Sequence, residues 1–255
     1  MTGTLVLLRH GQSTWNEFNL FTGWHDVDLT PKGENEAIEA GALMASEGLR
    51  FDFGHTSVLT RAVMTSHLAL HEMGQVWLPI QRHWRLNERH YGALQGLDKK
   101  ATAQLHGPEQ TNLWRRSYDI PPPPVEPSSP EHPASDPRYR FVAPHDLPAT
   151  ECLKDVVTRV LPYWNAEVVP QLVAGMNVLV TAHGNSLRAL VMYLEGISES
   201  DIAELNIPTG VPRRYSFVQK SVEGPGSQLK VISAGYLGDA EAIAAAAAAV
   251  ANQSK

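Results

Sequence analysis

Apolar residues along the chain form short unbroken runs in some segments and recur at helical spacing in others. The runs 5–8 and 178–182 are each followed closely by a histidine and a glycine. A short apolar run that ends in this way is typical of a buried strand. Further strands are predicted over residues 51–56, 76–80, 214–219 and 229–233, the last two forming a hairpin.

Helical spacing is clear between residues 37 and 45, with Pro31 as the first helical residue and Gly48 as the end. Three residues are expected to begin helices as N-caps: Thr30, Ser57 and Thr150. Strands that alternate with helices predict an α/β fold. The helices between the two histidine-bearing runs satisfy a crossover connection, so these strands are expected to be parallel neighbours.

One domain spanning residues 1–255 is expected, with a surface excursion at 118–150, where prolines are too dense for a helix or a central strand. An interdomain linker is the alternative. Residues 239–255 include a nearly all-alanine segment, which predicts a poorly buried helix and a flexible tail. That tail is either a lid over a site or a frayed end with no role.

Charge and composition narrow the functional classes. The formal net charge of −6 argues against general affinity for nucleic acid or for an anionic membrane. No apolar run approaches the ~20 residues that span a bilayer, and the N-terminus shows no secretion signal. The single cysteine, Cys152, cannot form an internal disulfide. A reducing compartment, the cytoplasm, is therefore expected.

The two histidine-bearing strands predict a site at one sheet edge. Parallel strands place ligand sites outside their carboxyl ends, so His10 and His183 should share a crevice. A neutral imidazole can attack phosphorus, and Arg9 offers donors suited to phosphate oxygens. Glu88 supplies a candidate acid or base if the strand at 76–80 lies beside the first. Further candidates for holding phosphate or carboxylate groups are Arg61, Arg89, Lys99, Arg115 and Arg116.

These residues sit in motifs that resemble one family, the 2,3-bisphosphoglycerate-dependent phosphoglycerate mutases of the histidine phosphatase superfamily. The resemblance rests on Arg-His-Gly-Gln-Ser-Thr-Trp-Asn at 9–16, Phe-Thr-Gly-Trp at 21–24, Arg-Ala at 61–62, the segment 86–96, Trp-Arg-Arg at 114–116, 182–188 and 206–212. It runs from residue 5 to the alanine-rich tail. Gln12 stands where many relatives carry glutamate, and some carry glutamine. The family fold is a three-layer α/β architecture, a mainly parallel mixed sheet flanked by helices.

The resemblance implies interconversion of 3-phosphoglycerate and 2-phosphoglycerate in glycolysis and gluconeogenesis, primed by 2,3-bisphosphoglycerate. It implies that His10 is phosphorylated, that Glu88 moves the proton, and that His183, Arg9 and Arg61 complete the catalytic group. The implied substrate-binding residues are Gly11, Gln12, Ser13, Thr14, Trp15, Asn16, Thr22, Gly23, Arg89, His90, Tyr91, Lys99, Arg115, Arg116, Gly184 and Asn185. No metal is expected, because two arginines and the second histidine supply the fixed donors that a metal provides in other phosphoryl transferases.

Three other functions stay open on the sequence alone. A broad phosphatase would hydrolyse the same phosphohistidine, a bisphosphoglycerate synthase would differ in relative rates, and a non-catalytic relative would bind phosphate as a scaffold. A zinc site is disfavoured because His10 and His183 lack a close carboxylate or cysteine pairing. The expected partners are small phosphoglycerates, and family members are commonly homodimers or homotetramers.

Overall fold

The computed structural model describes residues 2–219 and 229–251, with backbone only at 251. A six-stranded mixed sheet crosses it in the order β3-β2-β4-β1-β5-β6. The strands are β1 (Leu5–Arg9), β2 (Phe53–Thr56), β3 (Ile80–Arg82), β4 (Val178–Ala182), β5 (Pro212–Gln219) and β6 (Leu229–Tyr236). The first four are mutually parallel, and β5 and β6 are antiparallel to their neighbours. The predicted mainly parallel mixed sheet is confirmed.

Helices cover both faces of this sheet. They are α1 (Thr14–Glu17), α2 (Pro31–Ser46), α3 (Thr60–Glu72), α4 (Lys99–His106), α5 (Pro108–Arg116), α6 (Leu153–Tyr163), α7 (Val169–Val173), α8 (Gly184–Glu195) and α9 (Ala240–Ala251). A π-helical turn, Trp164–Val168, joins α6 to α7. Short 3-10 turns occur at Trp84–Leu86, Gly92–Leu94, Pro133–Ser135, Pro137–Tyr139, Pro144–Asp146 and Asp201–Glu204.

The sheet separates two hydrophobic cores, because successive side chains of a strand point to opposite faces. In β1, Leu5 and Leu7 pack with α6, α7 and α8, whereas Val6 and Leu8 pack with α2 and α3. The run 5–8 is therefore apolar without interruption because both faces of the central strand are covered. The architecture has three layers, helix, sheet and helix.

The predicted neighbouring strands are confirmed. β1 and β4 are parallel, with Leu5 opposite Val178 and Arg9 opposite Ala182. The predicted start of α2 is also confirmed, since the Thr30 hydroxyl accepts a hydrogen bond from the Gly33 amide at 3.1 Å. The predicted hairpin is present as β5 and β6, and its connecting loop lies outside the described residues.

Two predicted caps are wrong. The first turn of α3 begins at Thr60, whose amide and hydroxyl both donate to Asp26, so Ser57 lies before the helix. Helix α6 begins after Cys152, whose amide donates to Asp155 at 2.9 Å. Thr150 instead donates its hydroxyl hydrogen to the Pro122 carbonyl at 2.8 Å. At the start of each helix, the carboxylate of an aspartate accepts a hydrogen bond from a backbone amide. The sequence had predicted a serine or threonine hydroxyl as the cap.

The strand predicted at 76–80 is also wrong. The Leu78 amide donates to the Gln75 carbonyl in a turn, and the strand of this region is Ile80–Arg82. This strand, β3, lies at the sheet edge beside β2, separated from β1 by β2 and β4. Because β3 is not a neighbour of β1, it does not by itself bring the residues that follow it to the carboxyl end of β1. These residues reach that end by another path.

The proline-dense segment 118–150 runs as an irregular chain with three of the 3-10 turns. Tyr139 anchors it, with 2% of its surface exposed and its ring centroid 4.8 Å from that of Trp24. The Val125 amide donates to the Ala149 carbonyl at 2.9 Å, which draws the two ends of the segment together. Within the described residues, none of the helices combines the length and the apolar character that crossing a membrane requires.

Candidate active site

His10 lies at the carboxyl end of β1 with 2% of its surface exposed. Its Nδ1 is 2.7 Å from the Gly11 carbonyl, which can only accept, so Nδ1 carries the hydrogen and the lone pair is on Nε2. Burial, together with the charges of Arg61 and Arg9, holds the pKa of His10 well below its usual range. His10 is therefore a neutral imidazole at neutral pH, the form that can act as a nucleophile.

His183 meets His10 where β4 passes into α8. The two ring centroids are 5.0 Å apart at an interplanar angle of 61°. His183 Nε2 lies 2.7 Å from the Ser57 hydroxyl, and Nδ1 is buried without a hydrogen-bond partner among the described residues. Burial and the nearby charge of Arg61 hold the pKa of His183 well below its usual range. The predicted meeting of the two histidines is confirmed.

Two buried arginines flank the histidine pair. Arg9 donates Nη1 to the Ile207 carbonyl at 2.6 Å, and its buried Nε has no hydrogen-bond partner among the described residues. Arg61 donates to the Gly23 carbonyl at 2.7 Å and to the His25 carbonyl at 3.0 Å. Burial lowers the pKa of both arginines, that of Arg61 to about 10. A guanidinium is not deprotonated in proteins, so both side chains are charged at neutral pH.

Glu88 reaches the same crevice through the segment that follows the 3-10 turn Trp84–Leu86. Its Oε1 accepts from the Arg89 amide at 2.7 Å and from the Asn185 amide at 3.0 Å. Its Oε2 lies toward Gly184, where an added Cβ would be 3.5 Å away. Because two backbone donors occupy Oε1, a proton exchanged with a ligand must sit on Oε2.

Arg9, His10, Arg61 and Glu88 open onto one cavity, and His183 is not among its described lining residues. The empty space of this cavity is about 660 Å³, open solvent at its mouth included. Six cationic side chains line it: Arg9, Arg61, Lys99, Arg115, Arg116 and Arg188. Glu88 is the sole carboxylate among the described lining residues. The charge imbalance of this cavity is suited to a small polyanion, although the whole chain is acidic.

Burial also shifts the pKa values of three other cationic side chains of the cavity, Lys99, Arg115 and Arg116. Burial, with the charges of Arg115 and Arg9, lowers the pKa of Lys99 to about 7. Burial lowers the pKa of Arg115 to about 10 and also lowers that of Arg116. Burial is the largest influence on the pKa of Tyr91 and raises it, but the charges of Arg89 and Arg115 and a hydrogen bond with Arg89 together bring the pKa below its usual value. An anionic ligand in the cavity would favour the charged forms of the lysine and the arginines, which burial disfavours.

Of the predicted site residues, thirteen line the cavity. They are Arg9, His10, Asn16, Thr22, Gly23, Arg61, Glu88, Tyr91, Lys99, Arg115, Arg116, Gly184 and Asn185. Arg89 lies behind this wall, with its guanidinium 4.5 Å above the Tyr91 ring and Nη2 donating to the Arg115 carbonyl at 2.8 Å. His90 faces the excursion, with Nε2 3.3 Å from the Glu131 carbonyl.

The predicted binding loop 11–15 supports the cavity from outside its described lining. Gly11 packs against Gly33 of α2, and the Gln12 amide donates to Glu36 at 2.8 Å. Ser13 and Asn16 cap α1, which contains Thr14 and Trp15. The Trp15 ring stacks on His25 with centroids 4.1 Å apart. The binding roles of these residues remain predictions.

Several lining residues were not singled out from the sequence. Arg188 donates to the Asn185 side chain at 2.9 Å and to the Ile202 carbonyl at 2.6 Å, and its Nε is buried without a partner among the described residues. Asn206 also lines the cavity, and so does Val250, which belongs to α9. The position of Arg188 in the first turns of the helix after His183 was the available signal. Nothing in the alanine-rich sequence distinguished Val250.

Within residues 2–219 and 229–251, no group of three or more histidine, cysteine, aspartate or glutamate side chains is arranged to hold a metal ion. The residues suited to holding a ligand are the arginines and the lysine of the cavity, which can donate charge-assisted hydrogen bonds to phosphate and carboxylate groups.

Comparison with solved structures gives the fold. A mycobacterial glucosyl-3-phosphoglycerate phosphatase superposes with a TM-score of 0.67 at 22% identity, over 90% of this chain and 96% of that one. The alpha-ribazole phosphatase of Shigella flexneri gives a TM-score of 0.61 at 21% identity, over 85% and 91%. At these identities the likeness extends to the fold alone.

Comparison of sequences gives the family. A sequence model of the histidine phosphatase superfamily (branch 1) matches residues 5–219. A protein named 2,3-bisphosphoglycerate-dependent phosphoglycerate mutase from Nitratidesulfovibrio vulgaris, strain Miyazaki F, is 56% identical over 250 residues, 98% of this chain and 97% of the relative. A protein of that name from strain DP4 is 54% identical over 251 residues, with the same shares covered. The chain therefore belongs to the histidine phosphatase superfamily, branch 1, and within it to the family of the 2,3-bisphosphoglycerate-dependent phosphoglycerate mutases.

Proposed function

We propose that this enzyme interconverts 3-phosphoglycerate and 2-phosphoglycerate through a phosphohistidine at His10, primed by 2,3-bisphosphoglycerate. The observation that carries the proposal is a neutral His10 on the wall of a cavity lined by six cations and by the carboxylate of Glu88. The relatives named phosphoglycerate mutase, which match nearly the full length of the chain, support the same reaction.

In the proposed chemistry, His10 Nε2 holds the phosphoryl group between turnovers. The N–P bond breaks as a hydroxyl oxygen of the monophosphate forms the new O–P bond, and charge spreads over the three equatorial oxygens. Arg9 and Arg61 supply fixed positive charge beside that group, and His183 can donate from Nδ1 when Nε2 accepts from Ser57. Preorganised donors of this kind contribute most of the rate enhancement in phosphoryl transfer.

Glu88 moves the proton. As the O–P bond forms, Oε2 takes the hydroxyl hydrogen while Oε1 stays on its two amides. After the bisphosphate turns in the cavity, the other phosphate returns to Nε2 of His10, and Oε2 gives its proton to the departing oxygen. The substrate therefore leaves as the isomer, and His10 is again phosphorylated.

The remaining cations hold the non-reacting end of the substrate. Lys99, Arg115 and Arg116 line the cavity and are suited to the carboxylate and the second phosphate. Retention of the bisphosphate requires closure of the mouth, and Val250 brings α9 to the cavity wall. We therefore assign to α9 the role of a lid. The cationic side chains of the cavity replace a metal, so chelators should leave the activity unchanged.

A coupled assay with 3-phosphoglycerate, with and without added 2,3-bisphosphoglycerate, tests the proposal. A large stimulation by the bisphosphate and retention of phosphate by the protein are expected. His10→Ala should abolish both, whereas exposed His145→Ala should change neither. Interconversion by His10→Ala would refute the scheme, and release of inorganic phosphate as the main product would indicate a phosphatase.

For assembly, we propose a homodimer or a homotetramer in the cytoplasm. Edge strand β3 is three residues long, and beside it Val76 and Trp77 are 50% and 68% exposed. An open sheet edge next to exposed apolar residues favours pairing with a second copy. Trp77→Lys should reduce the molar mass measured by light scattering. Phe141→Lys, at an exposed residue of the excursion, serves as the control.

A further inference from the structure

The segment that carries Glu88 has little secondary structure of its own. After the 3-10 turn Trp84–Leu86 the chain runs irregularly to Tyr91, yet Asn87 and His90 are completely buried and Glu88 is nearly so. Buried backbone groups outside helices and strands need partners elsewhere. Two side chains, one in α6 and one just before it, supply several of them.

Arg159 of α6 donates hydrogen bonds to backbone carbonyl groups in and just before this segment. Its Nη1 donates to the Arg85 carbonyl at 2.6 Å, and its Nη2 donates to the carbonyls of Asn87 and Glu88 at 3.0 and 2.9 Å. The indole Nε1 of Trp24 is a second donor to the Glu88 carbonyl, at 2.5 Å. The planar guanidinium therefore fixes three points of the path on the approach to the Glu88 side chain.

Glu151 hydrogen-bonds the backbone after Glu88, at His90. Its Oε2 accepts from the His90 amide at 2.8 Å, and its own amide donates to the His90 carbonyl at 2.9 Å. The same carboxylate pairs with Arg159, whose Nε and Nη2 donate to Oε1 and Oε2. Both side chains are buried, with 6% of Arg159 and 2% of Glu151 exposed. Arg159 and Glu151 thus form one unit, called here the Glu88 clamp, that grips the chain before and after Glu88.

From this geometry we infer that the Glu88 clamp is a positioning device for catalysis. It sets the backbone so that the amides of Arg89 and Asn185 meet Oε1 and leave Oε2 to the substrate. A buried ion pair adds little to stability compared with an apolar pair of similar size, whereas it can specify one arrangement of the chain. The inference rests on the proposed role of Glu88.

The experiment separates phosphate donors by their need for a proton. Transfer from 2,3-bisphosphoglycerate to His10 expels an alkoxide, which Glu88 must protonate as the O–P bond breaks. Transfer from p-nitrophenyl phosphate expels p-nitrophenolate, a stable anion that needs no proton. In Arg159→Lys, the single-turnover rate from the bisphosphate should fall about 10²-fold, since a catalytic group is displaced. The rate from p-nitrophenyl phosphate should stay nearly unchanged.

Glu88→Gln provides the reference pattern, because it removes the proton directly and should show the same selective loss. Arg159→Lys added to Glu88→Gln should then cause no further loss from the bisphosphate, because both act through one group. Thr158→Ala, at an exposed neighbour on the same helix, should match the unchanged protein with both donors. Arg159→Met combined with Glu151→Gln removes the ion pair without leaving a lone buried charge, and should repeat the selective loss.

Equal loss with both donors in a variant that melts like the unchanged protein would overturn the inference. An additional loss in the Glu88→Gln background would also overturn it. Failure of the proposed function gives a different result. The unchanged protein would then accept phosphate from p-nitrophenyl phosphate without interconverting the phosphoglycerates, and the donor comparison would still measure whether the clamp acts through Glu88.

Discussion

The lowered pKa of Lys99 predicts a specific pH dependence of substrate binding. Lys99 is the first residue of α4 and lies on the cavity wall, where burial, Arg115 and Arg9 bring its pKa to about 7. Below pH 7 the free enzyme carries the ammonium, and above pH 7 it carries the neutral amine. An anionic substrate favours the ammonium, so binding above pH 7 must take up a proton.

The magnitude comes from this proton uptake. One pH unit above the pKa of the free enzyme costs about 1.4 kcal/mol of binding free energy, which is about tenfold in the dissociation constant. The dissociation constant of 3-phosphoglycerate should therefore rise about tenfold between pH 7.5 and 8.5. The second ionisation of a phosphate monoester lies near pH 6, below this window. Its titration strengthens binding as the pH rises, so it cannot produce the predicted trend.

Calorimetric titrations in buffers of different ionisation enthalpy measure both the affinity and the number of protons taken up. Lys99→Met should bind more weakly at pH 7 and lose the dependence above it. Lys100→Met, at the exposed next residue of the same helix, should retain the dependence. If Lys99→Met keeps the tenfold change and the proton uptake, another group titrates and the assignment to Lys99 is wrong.

Two further predictions concern stability. Gly33→Ala would place a Cβ 2.0 Å from the Gln12 carbonyl oxygen, so we expect a loss of about 1–3 kcal/mol in urea unfolding together with reduced kcat. Gly235→Ala, with open space around it, is the control and should change neither. Burial lowers the pKa values of His83 and His90 to about 4, so the unfolded chain binds more protons between pH 4 and 6.5. Stability from these groups is therefore complete above pH 6.5 and is lost as the pH falls. For His90 the loss should be roughly 3 kcal/mol by pH 4. An unchanged melting temperature between pH 7 and pH 5 would contradict this.

The two central strands, and the histidine after each of them, could be predicted from the amino-acid sequence. The apolar runs at 5–8 and 178–180 indicate strands that are covered on both faces, and parallel pairing brings His10 and His183 to one edge of the sheet. These inferences succeed because periodicity and the order of strand, loop and helix are local properties of the chain. The family resemblance extended them to the reaction.

The path by which Glu88 reaches the histidines was set by tertiary packing alone. The route expected from a strand beside β1 was wrong, since β3 is an edge strand, and the segment is instead held by Arg159 and Glu151, far along the chain. The pairing of Ser57 with His183 likewise joins residues 126 positions apart. Periodicity shows which face of an element is buried. It carries no information on which buried donors and acceptors from distant segments will meet, because that choice is made when the whole molecule packs.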